Sequence, residues 1–401
     1  MSEKVLSILG STGSIGVNAL DVAGRFPGRY RIHALAARAN IDRLGEQIET
    51  HRPAVAVVYD PDAADALRRR RPGGGRTAIR SGMDGLLEVA TDPRVDQVVA
   101  GMVGAIGLRP AHAAILAGKQ VALANKEVLV LAGELMVALA RETGSVLLPV
   151  DSEHNAIYQC LNGSDGRAVR RILLTGSGGP FRDLPVESLA SVTRSQALNH
   201  PNWKMGPKIT IDSATMMNKG LEVIETRWLF DLPPDRISVL IHRQSIVHSL
   251  VEFVDGSVLA QLGLPDMRTP IAYCLAHPER LPLDLPRLDL AQVGRLDFQA
   301  VLPERYPCLF LALDALALGG GAPAVLNGAN ECVVAAYLDD AFPFARIAGI
   351  LKQVMKSLES ALGERNAPSF LRSIASVEDA IAADAWGRAA AKPLIEEARA
   401  A

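Results

Sequence analysis

The sequence predicts an α/β protein in three parts: an N-terminal Rossmann-like parallel-sheet domain over residues 1–150, a central α+β domain over 151–276 and, after a linker at 277–303, a C-terminal helical bundle over 304–401. Three patterns predict this division. Short β-branched runs alternate with amphipathic stretches up to residue 150. Strand-like runs then follow one another with few helices between them, and from Cys308 onward the apolar residues keep a helical period.

The first part contains VLSIL (5–9), YRIHALA (30–36), AVAVV (54–58), DQVVAG (96–101), QVALAN (120–125) and SVLLPV (145–150). These short β-branched runs, alternating with Ala- and Leu-rich amphipathic stretches, predict βαβ units and a parallel sheet covered on both faces. Between a helix and a strand lies RRRRPGGGR (68–76), whose adjacent glycines mark a solvated turn and not a nucleic-acid site. The apolar stretch 128–140 is interrupted by Glu134 and falls short of the roughly 20 residues needed to span a bilayer, so it reads as a buried helix. In the central part RRILLTG (170–176), KITID (208–212), ISVLIH (237–242), HSLVEFV (248–254) and SVLAQLG (257–263) predict a largely antiparallel sheet. The proline-dense 277–303 segment has no sustained period and reads as an extended linker. The Ala-rich end is a helix former and closes the bundle.

Composition narrows the function. The 401 residues are 49% hydrophobic, which excludes a disordered, collagenous or coiled-coil chain and leaves room for two or three cores. With 42 Lys+Arg against 44 Asp+Glu there is no basic field for nucleic acid or an anionic membrane, so a small molecule is the expected ligand. Cys160, Cys274, Cys308 and Cys332 are scattered and form no CxxC pair, which suits a reducing cytoplasm better than a disulfide framework. The first residues lead straight into a strand without a basic and apolar leader pattern, so no export signal is expected.

Gly10-Ser11-Thr12-Gly13-Ser14-Ile15-Gly16 follows the first strand and opens a helix. Glycines there let the backbone approach a pyrophosphate, while the helix start offers free N–H groups and a positive dipole end. The spacing is GxxGxxG, which by itself also fits a tight βα turn without a ligand; the βαβ context favours a dinucleotide. An NAD enzyme places an acid about 20 residues further on, at the end of the second strand. Arg38 stands there instead, and a guanidinium suits the 2′-phosphate of NADP(H).

Asp151-Ser152-Glu153-His154-Asn155 follows the run ending at Val150. If this segment is extended, Asp151 and Glu153 face one point, and two carboxylates held together call for a cation such as Mg²⁺ or Mn²⁺. An N-cap at Asp151 or Ser152 with Glu153 in the first helical turn explains the same residues equally well, and the two roles can coexist. Further on, 200–208 (HPNWKMGPK), with His200, Trp203 and Met205, lacks any period and suits a loop that closes over a ligand. Ser213, Asn218, Lys219 and Glu222 then flank Met216 and Met217: Asn218 and Lys219 suit a phosphate, Glu222 a third metal ligand on a helical face. Thr175 to Pro180, containing Ser177, ends a strand with amides free for an anion. Together these residues outline a phosphate-sized polar cavity. His248, alternating with apolar neighbours, reads as a core or interface histidine.

Six motifs in order, GSTGSIG, LANKE (123–127), DSEHNAI (151–157), TGSGGPFR (175–182), HPNWKMGPKITIDSATMMNKGLE (200–222) and NGANE (327–331), resemble the 1-deoxy-D-xylulose 5-phosphate reductoisomerase family. The resemblance implies NADPH and a divalent metal (Mg²⁺ or Mn²⁺) as cofactors, a sugar phosphate substrate, and a homodimer to which the strands around His248 contribute. It implies that Asp151, Glu153 and Glu222 bind the metal, with Lys126 beside metal and substrate. Ser152, Ser177, His200, Ser213, Asn218 and Lys219 would hold the sugar phosphate, and Trp203 and Met205 would belong to a flap over it. Thr12, Gly13, Ser14, Ile15, Arg38, Ala39, Asn40, Asn125, Glu127 and Gly206 match NADPH-contacting positions. The family reaction isomerises 1-deoxy-D-xylulose 5-phosphate and reduces the resulting aldehyde to 2-C-methyl-D-erythritol 4-phosphate, a step of isoprenoid biosynthesis. The chain departs from the pattern at Arg38-Ala39, where other members often carry glycine followed by Lys or Ser.

Two competing functions are weaker. A semialdehyde dehydrogenase needs a thioester-forming cysteine, and the cysteines here lie in apolar contexts. A regulatory NADP-binding module has no use for the clustered charges of Lys126, Asp151, Glu153 and Glu222.

Overall fold

The computed structural model describes residues 3–163, 166–203 and 205–400. The chain forms two compact units. The first comprises the residues up to Val128, Met136–Asn155 and Asp266–Leu285; the second comprises Leu129–Leu135, Ala156–Pro265 and the chain from Pro286 onward.

The first unit is a doubly wound α/β sheet. Its strands are β1 (Lys4–Leu9), β2 (Tyr30–Ala37), β3 (Val55–Val58), β4 (Ala78–Ser81), β5 (Gln97–Ala100), β6 (Gln120–Leu123) and β7 (Leu147–Pro149), in the order β4-β3-β2-β1-β5-β6-β7. All adjacent pairs are parallel. β3 and β5 are buried along their whole length, and apart from Gln97 their residues are apolar, as a sheet covered on both faces requires. The strand order reverses at β1 and β5, so the loops leaving the carboxyl ends of these strands flank a switch-point crevice. Strand β4 is additional to the expected strands: Ala78-Ile79-Arg80-Ser81 is short and half-exposed, and so lacks the apolar signature of its neighbours.

The helix Arg268–Ala276, expected in the central domain, belongs to the first unit. Gln97 donates to the carbonyl of Cys274 at 2.9 Å and Lys4 to that of Leu275 at 2.8 Å. A chain returning over so long a sequence interval leaves no local pattern to read.

The second unit holds a mixed sheet of β8 (Val169–Gly176), β9 (Ile237–Ile241), β10 (Val247–Phe253), β11 (Val258–Leu262) and β12 (Gln299–Ala300), ordered β11-β10-β8-β9-β12. Three pairs are antiparallel, as expected, but β8 and β9 run parallel across an intervening helical crossover. KITID, expected as a strand, lies in the helix Pro207–Thr215. Pro207 at the first helical turn and a Lys208–Asp212 ion pair of 2.8 Å one turn apart override the β-branched Ile209, Thr210 and Ile211. The linker is not wholly extended: it contains the short helix Leu290–Val293 and β12, which pairs with β9.

The C-terminal helices form within this second unit. Pro307–Leu318 packs on Met217–Leu229 so closely that a Cβ on Gly220 would lie 2.4 Å from that of Ala312. Behind it Ala322–Leu338 packs against Val377–Ala400. No helix among the described residues is long and apolar enough to cross a membrane.

Candidate active site

In the first unit the predicted residues gather at the carboxyl edge of the parallel sheet. The turn after β1 begins with Gly10 at φ +86°, where a Cβ would lie 2.5 Å from the carbonyl oxygen of Gly101. At Gly16 a Cβ would lie 2.3 Å from Cα of Ser11, so the first helical turn sits directly on the loop. Gly13 is different: its Cβ position clears the nearest atom by 3.4 Å, and it caps the helix Ser14–Gly24 without any side-chain partner. Thr12, Gly13, Ser14 and Ile15 therefore surround a helix N-terminus whose leading amides are open to an anion. Gln47, which no motif marks, fixes this turn: its amide donates to the carbonyl of Ser11 and accepts from the Ser11 hydroxyl, both at 2.8 Å.

Arg38, Ala39 and Asn40 leave the end of β2 exposed at the same edge, and the Asn40 side chain accepts from the amide of Arg43 to cap the next helix. Asn125 follows β6. It donates to the carbonyl of Gly104 at 3.0 Å and accepts from the amide of Glu127 at 3.0 Å, tying the β5 and β6 loops together. Lys126, between them, brings its ammonium within 2.9 Å of Asp151 Oδ2 beyond β7, with both side chains mostly buried.

The extended geometry expected for Asp151 and Glu153 does not occur. β7 ends at Pro149, and Ser152 starts the helix Ser152–Leu161, with the Asp151 carbonyl accepting from the amide of Asn155 at 2.8 Å. The local structure is thus a helix start, with Asp151 directly before it and Glu153 in its first turn. It still brings the two carboxylates together, since ligand oxygens of Asp151 and Glu153 lie within 4.8 Å of one another. Ser152 donates its hydroxyl to the Glu153 carboxylate. His154, present in the motif but given no role, also offers a ring nitrogen within 4.8 Å of an Asp151 oxygen. Two like charges at this separation with a lysine on one of them suit a hard divalent cation.

Behind this segment, the carbonyl of Pro149 accepts from the Asn155 amide at 2.8 Å and from the Cys274 thiol at 3.1 Å. Cys274 and Cys308 are fully enclosed, and burial raises both thiols, Cys308 to about 12. Neither serves as a thiolate nucleophile.

In the second unit the remaining residues surround the carboxyl end of β8. Ser177 follows it, and its hydroxyl lies 3.0 Å from Nε2 of His200. His200 Nδ1 accepts from the amides of Asn202 (3.1 Å) and Trp203 (2.9 Å), so the ring proton resides on Nε2 and is donated to Ser177. Burial, reinforced by the charge of Arg182, holds the imidazole down at about 4 and keeps it neutral. The Ser177 oxygen also accepts from the amide of Gly179 at 3.1 Å, which leaves its own O–H to donate outward.

The same strand end receives two helices. Ser213 lies in Pro207–Thr215, where a Cβ on Gly179 would come within 2.7 Å of its carbonyl. Asn218, Lys219 and Glu222 lie in Met217–Leu229, with Glu222 in the helix interior. Lys219 runs under the end of β8, its Cε 3.1 Å from the Cβ position of Gly176, and its ammonium pairs with the buried carboxylate of Glu222. Asn218 donates to the other Glu222 oxygen at 2.5 Å. Trp203 and Met205 precede Gly206, which caps Pro207–Thr215; Lys204 lies outside the described residues. His248 is buried in β10, as expected of a core histidine.

Known proteins resemble this chain along its length. Residues 6–133 match the family described as 1-deoxy-D-xylulose 5-phosphate reductoisomerase, 147–230 its C-terminal domain, and 262–390 the DXP reductoisomerase C-terminal domain. The 1-deoxy-D-xylulose 5-phosphate reductoisomerase of Dechloromonas aromatica is 52% identical over 407 aligned positions covering 100% of both chains. That of Methylobacillus flagellatus is 51% identical over 390 positions, 96% of each. Among solved structures, the Zymomonas mobilis reductoisomerase in complex with NADPH superposes with a TM-score of 0.90 at 43% identity, covering 98% of this chain and 99% of that one. A DOX-P reductoisomerase in complex with NADPH, fosmidomycin and magnesium gives a TM-score of 0.91 at 44% identity, covering 98% of both. The glycine turn at the switch point, the paired carboxylates and the strand end of Ser177 all lie inside these matched regions, and the chain belongs to the 1-deoxy-D-xylulose 5-phosphate reductoisomerase family.

Proposed function

We infer that this chain catalyses the NADPH- and divalent-metal-dependent isomerisation and reduction of 1-deoxy-D-xylulose 5-phosphate to 2-C-methyl-D-erythritol 4-phosphate, in the methylerythritol phosphate route to isoprenoids. The observation that carries this is 52% identity along the full length of both chains with a reductoisomerase. The structural neighbours' complexes with NADPH and magnesium agree with the cofactors.

The residue roles are our assignment. Asp151, Glu153 and Glu222 hold the divalent ion, supported by the proximity of the first two and by the burial of the third against Lys219. A bound divalent ion supplies charge stabilisation at substrate oxygens, and NADPH supplies the hydride. Lys126 balances the charge of Asp151, and its ammonium serves as the proton donor to a substrate oxygen. Ser177 donates its free O–H to the substrate phosphate, with neutral His200 orienting it; Ser213, Asn218 and Lys219 complete the cradle, and Ser152 contributes from the other strand end. Remote binding of the phosphate holds the reacting carbons in place. Trp203 and Met205 cover the substrate and exclude water. Thr12, Gly13, Ser14, Ile15, Arg38, Ala39, Asn40, Asn125, Glu127 and Gly206 hold NADPH, with Arg38 on the 2′-phosphate.

The protein acts as a cytoplasmic homodimer in this reading. The four cysteines are free thiols, as a reducing compartment maintains them. The edge strand β11 exposes Val258 and Leu259, and a second copy would cover this edge.

The test follows NADPH absorbance with purified protein, 1-deoxy-D-xylulose 5-phosphate and Mg²⁺ or Mn²⁺, beside a chelator-treated sample and one given NADH. Substrate- and metal-dependent oxidation of NADPH, weak with NADH, is expected. Demonstrable NADPH binding without oxidation would overturn the assignment.

A further inference from the structure

We propose that Tyr306, aided by Arg305, is a positioning residue for substrate: it sets the loop that presents Ser177 and braces the helix junction between Ser213 and Lys219. The proposal rests on the reading that these residues hold the sugar phosphate.

The loop after β8 makes a sharp turn through two residues of positive φ, Gly178 at +80° and Gly179 at +69°. Such backbone has no repeating hydrogen-bond partners of its own, so its carbonyls must be satisfied from elsewhere. Each is. His242 donates its amide to Gly176 O at 2.8 Å, Arg182 its guanidinium to Ser177 O at 3.0 Å, and Tyr306 its hydroxyl to Gly178 O at 2.9 Å. Arg305 donates to Phe181 O at 2.8 Å and Leu184 O at 2.6 Å. Because a peptide unit is planar, fixing a carbonyl fixes the following N–H on the opposite side. Tyr306 on Gly178 O therefore aims the Gly179 amide, which is the amide donated to the Ser177 hydroxyl. The direction in which Ser177 points its remaining O–H depends on that chain of bonds.

The ring of Tyr306 has a second task. It packs in a buried cluster with Met216, Ile241 and Leu309. Met216 is the left-handed hinge residue, φ +58°, that ends Pro207–Thr215 and begins Met217–Leu229. One side chain thus touches the loop of Ser177 through its hydroxyl and the junction separating Ser213 from Asn218 and Lys219 through its ring. Burial pushes the phenol up to about 12, so it remains a donor throughout the working pH range. The position lies outside the motifs that carry the chemistry, more than 120 residues from the loop it holds.

Tyr306→Phe keeps the ring and removes the donor. The expected result is a KM for 1-deoxy-D-xylulose 5-phosphate raised about fivefold to tenfold, fosmidomycin affinity by calorimetry weakened in parallel, and a KM for NADPH within about twofold of the parent. Arg305→Gln, which loosens the outer half of the loop, is expected to show the same split and stands in should Tyr306→Phe fold poorly. A fall in Tm with both KM values and fosmidomycin affinity unchanged would reduce Tyr306 to a structural residue and overturn the proposal, as would equal losses for both substrates. An unmutated protein that binds NADPH but never turns over the sugar phosphate would instead overturn the functional reading beneath it.

Discussion

Nε2 of His200 lies 3.0 Å from the hydroxyl oxygen of Ser177, and the two backbone amides bonded to Nδ1 dictate which way the shared proton is given. The arrangement works only with a neutral ring, and burial depresses its pKa to about 4. An unfolded histidine titrates near 6.5. Between about pH 6.5 and pH 4 the unfolded chain therefore binds a proton that the folded chain refuses, and this residue makes stability fall as the pH drops through that window. His200→Gln removes the effect. Thermal melts of the parent and the variant should diverge at neutral pH and converge toward pH 4; parallel curves across that range would show that the ring is not held neutral.

The glycine turn makes a prediction through contrast. A methyl at Gly16 collides with the backbone of Ser11 at 2.3 Å, whereas one at Gly13 meets nothing closer than 3.4 Å. Forcing atoms into packed backbone costs about 1–3 kcal/mol or more. Gly16→Ala should lower Tm by several degrees and weaken NADPH binding because the loop itself must move. Gly13→Ala should leave Tm nearly unchanged and affect cofactor binding alone. Fluorescence titration with NADPH alongside melting curves reads both quantities, and equal melting points for the two variants would contradict the geometry.

How much of this was legible follows from the range of each interaction. The first sheet was readable because parallel strands buried on both faces leave apolar runs, and β4 escaped because Arg80 and its half-exposed neighbours do not. The site motifs were readable because the polar residues are contiguous: Asp151 to Glu153, Ser177, and the 213–222 segment. Local geometry inside them was less so. Asp151 and Glu153 converge across a helix start and not along a strand, and Ile209 to Ile211 follow their helical surroundings against their own preference. Hidden altogether were partners brought in by tertiary folding, such as Gln47 under the glycine turn and Cys274 behind Pro149. No spacing rule links residues so far apart.

Arg38 stands exposed just beyond β2, where a dinucleotide enzyme reads the ribose of its cofactor. A charged hydrogen bond to a phosphate is worth about 1.5–3 kcal/mol. Arg38→Ala should then raise the KM for NADPH by about 10- to 100-fold while leaving that for NADH nearly unchanged. Steady-state kinetics with both cofactors checks this, and an unaltered preference would remove Arg38 from the site.

Glu153 and Asp151 hold carboxylate oxygens within 4.8 Å of one another, and Lys126 reaches Asp151 at 2.9 Å. With no cation between them the pair repels by an amount of order 1 kcal/mol after screening. A divalent ion converts that repulsion into affinity, so Glu153→Gln should act in opposite directions on the two forms of the protein. Treated with chelator, the variant should melt at or slightly above the parent. With Mg²⁺ or Mn²⁺ added, the parent's Tm should rise while the variant's scarcely moves, because losing a direct ligand weakens binding by at least the 10- to 100-fold that losing a supporting residue costs. Turnover should collapse with metal affinity while NADPH titrates normally. A variant that keeps the metal-induced rise in Tm would exclude Glu153 as a ligand even if its activity were lost.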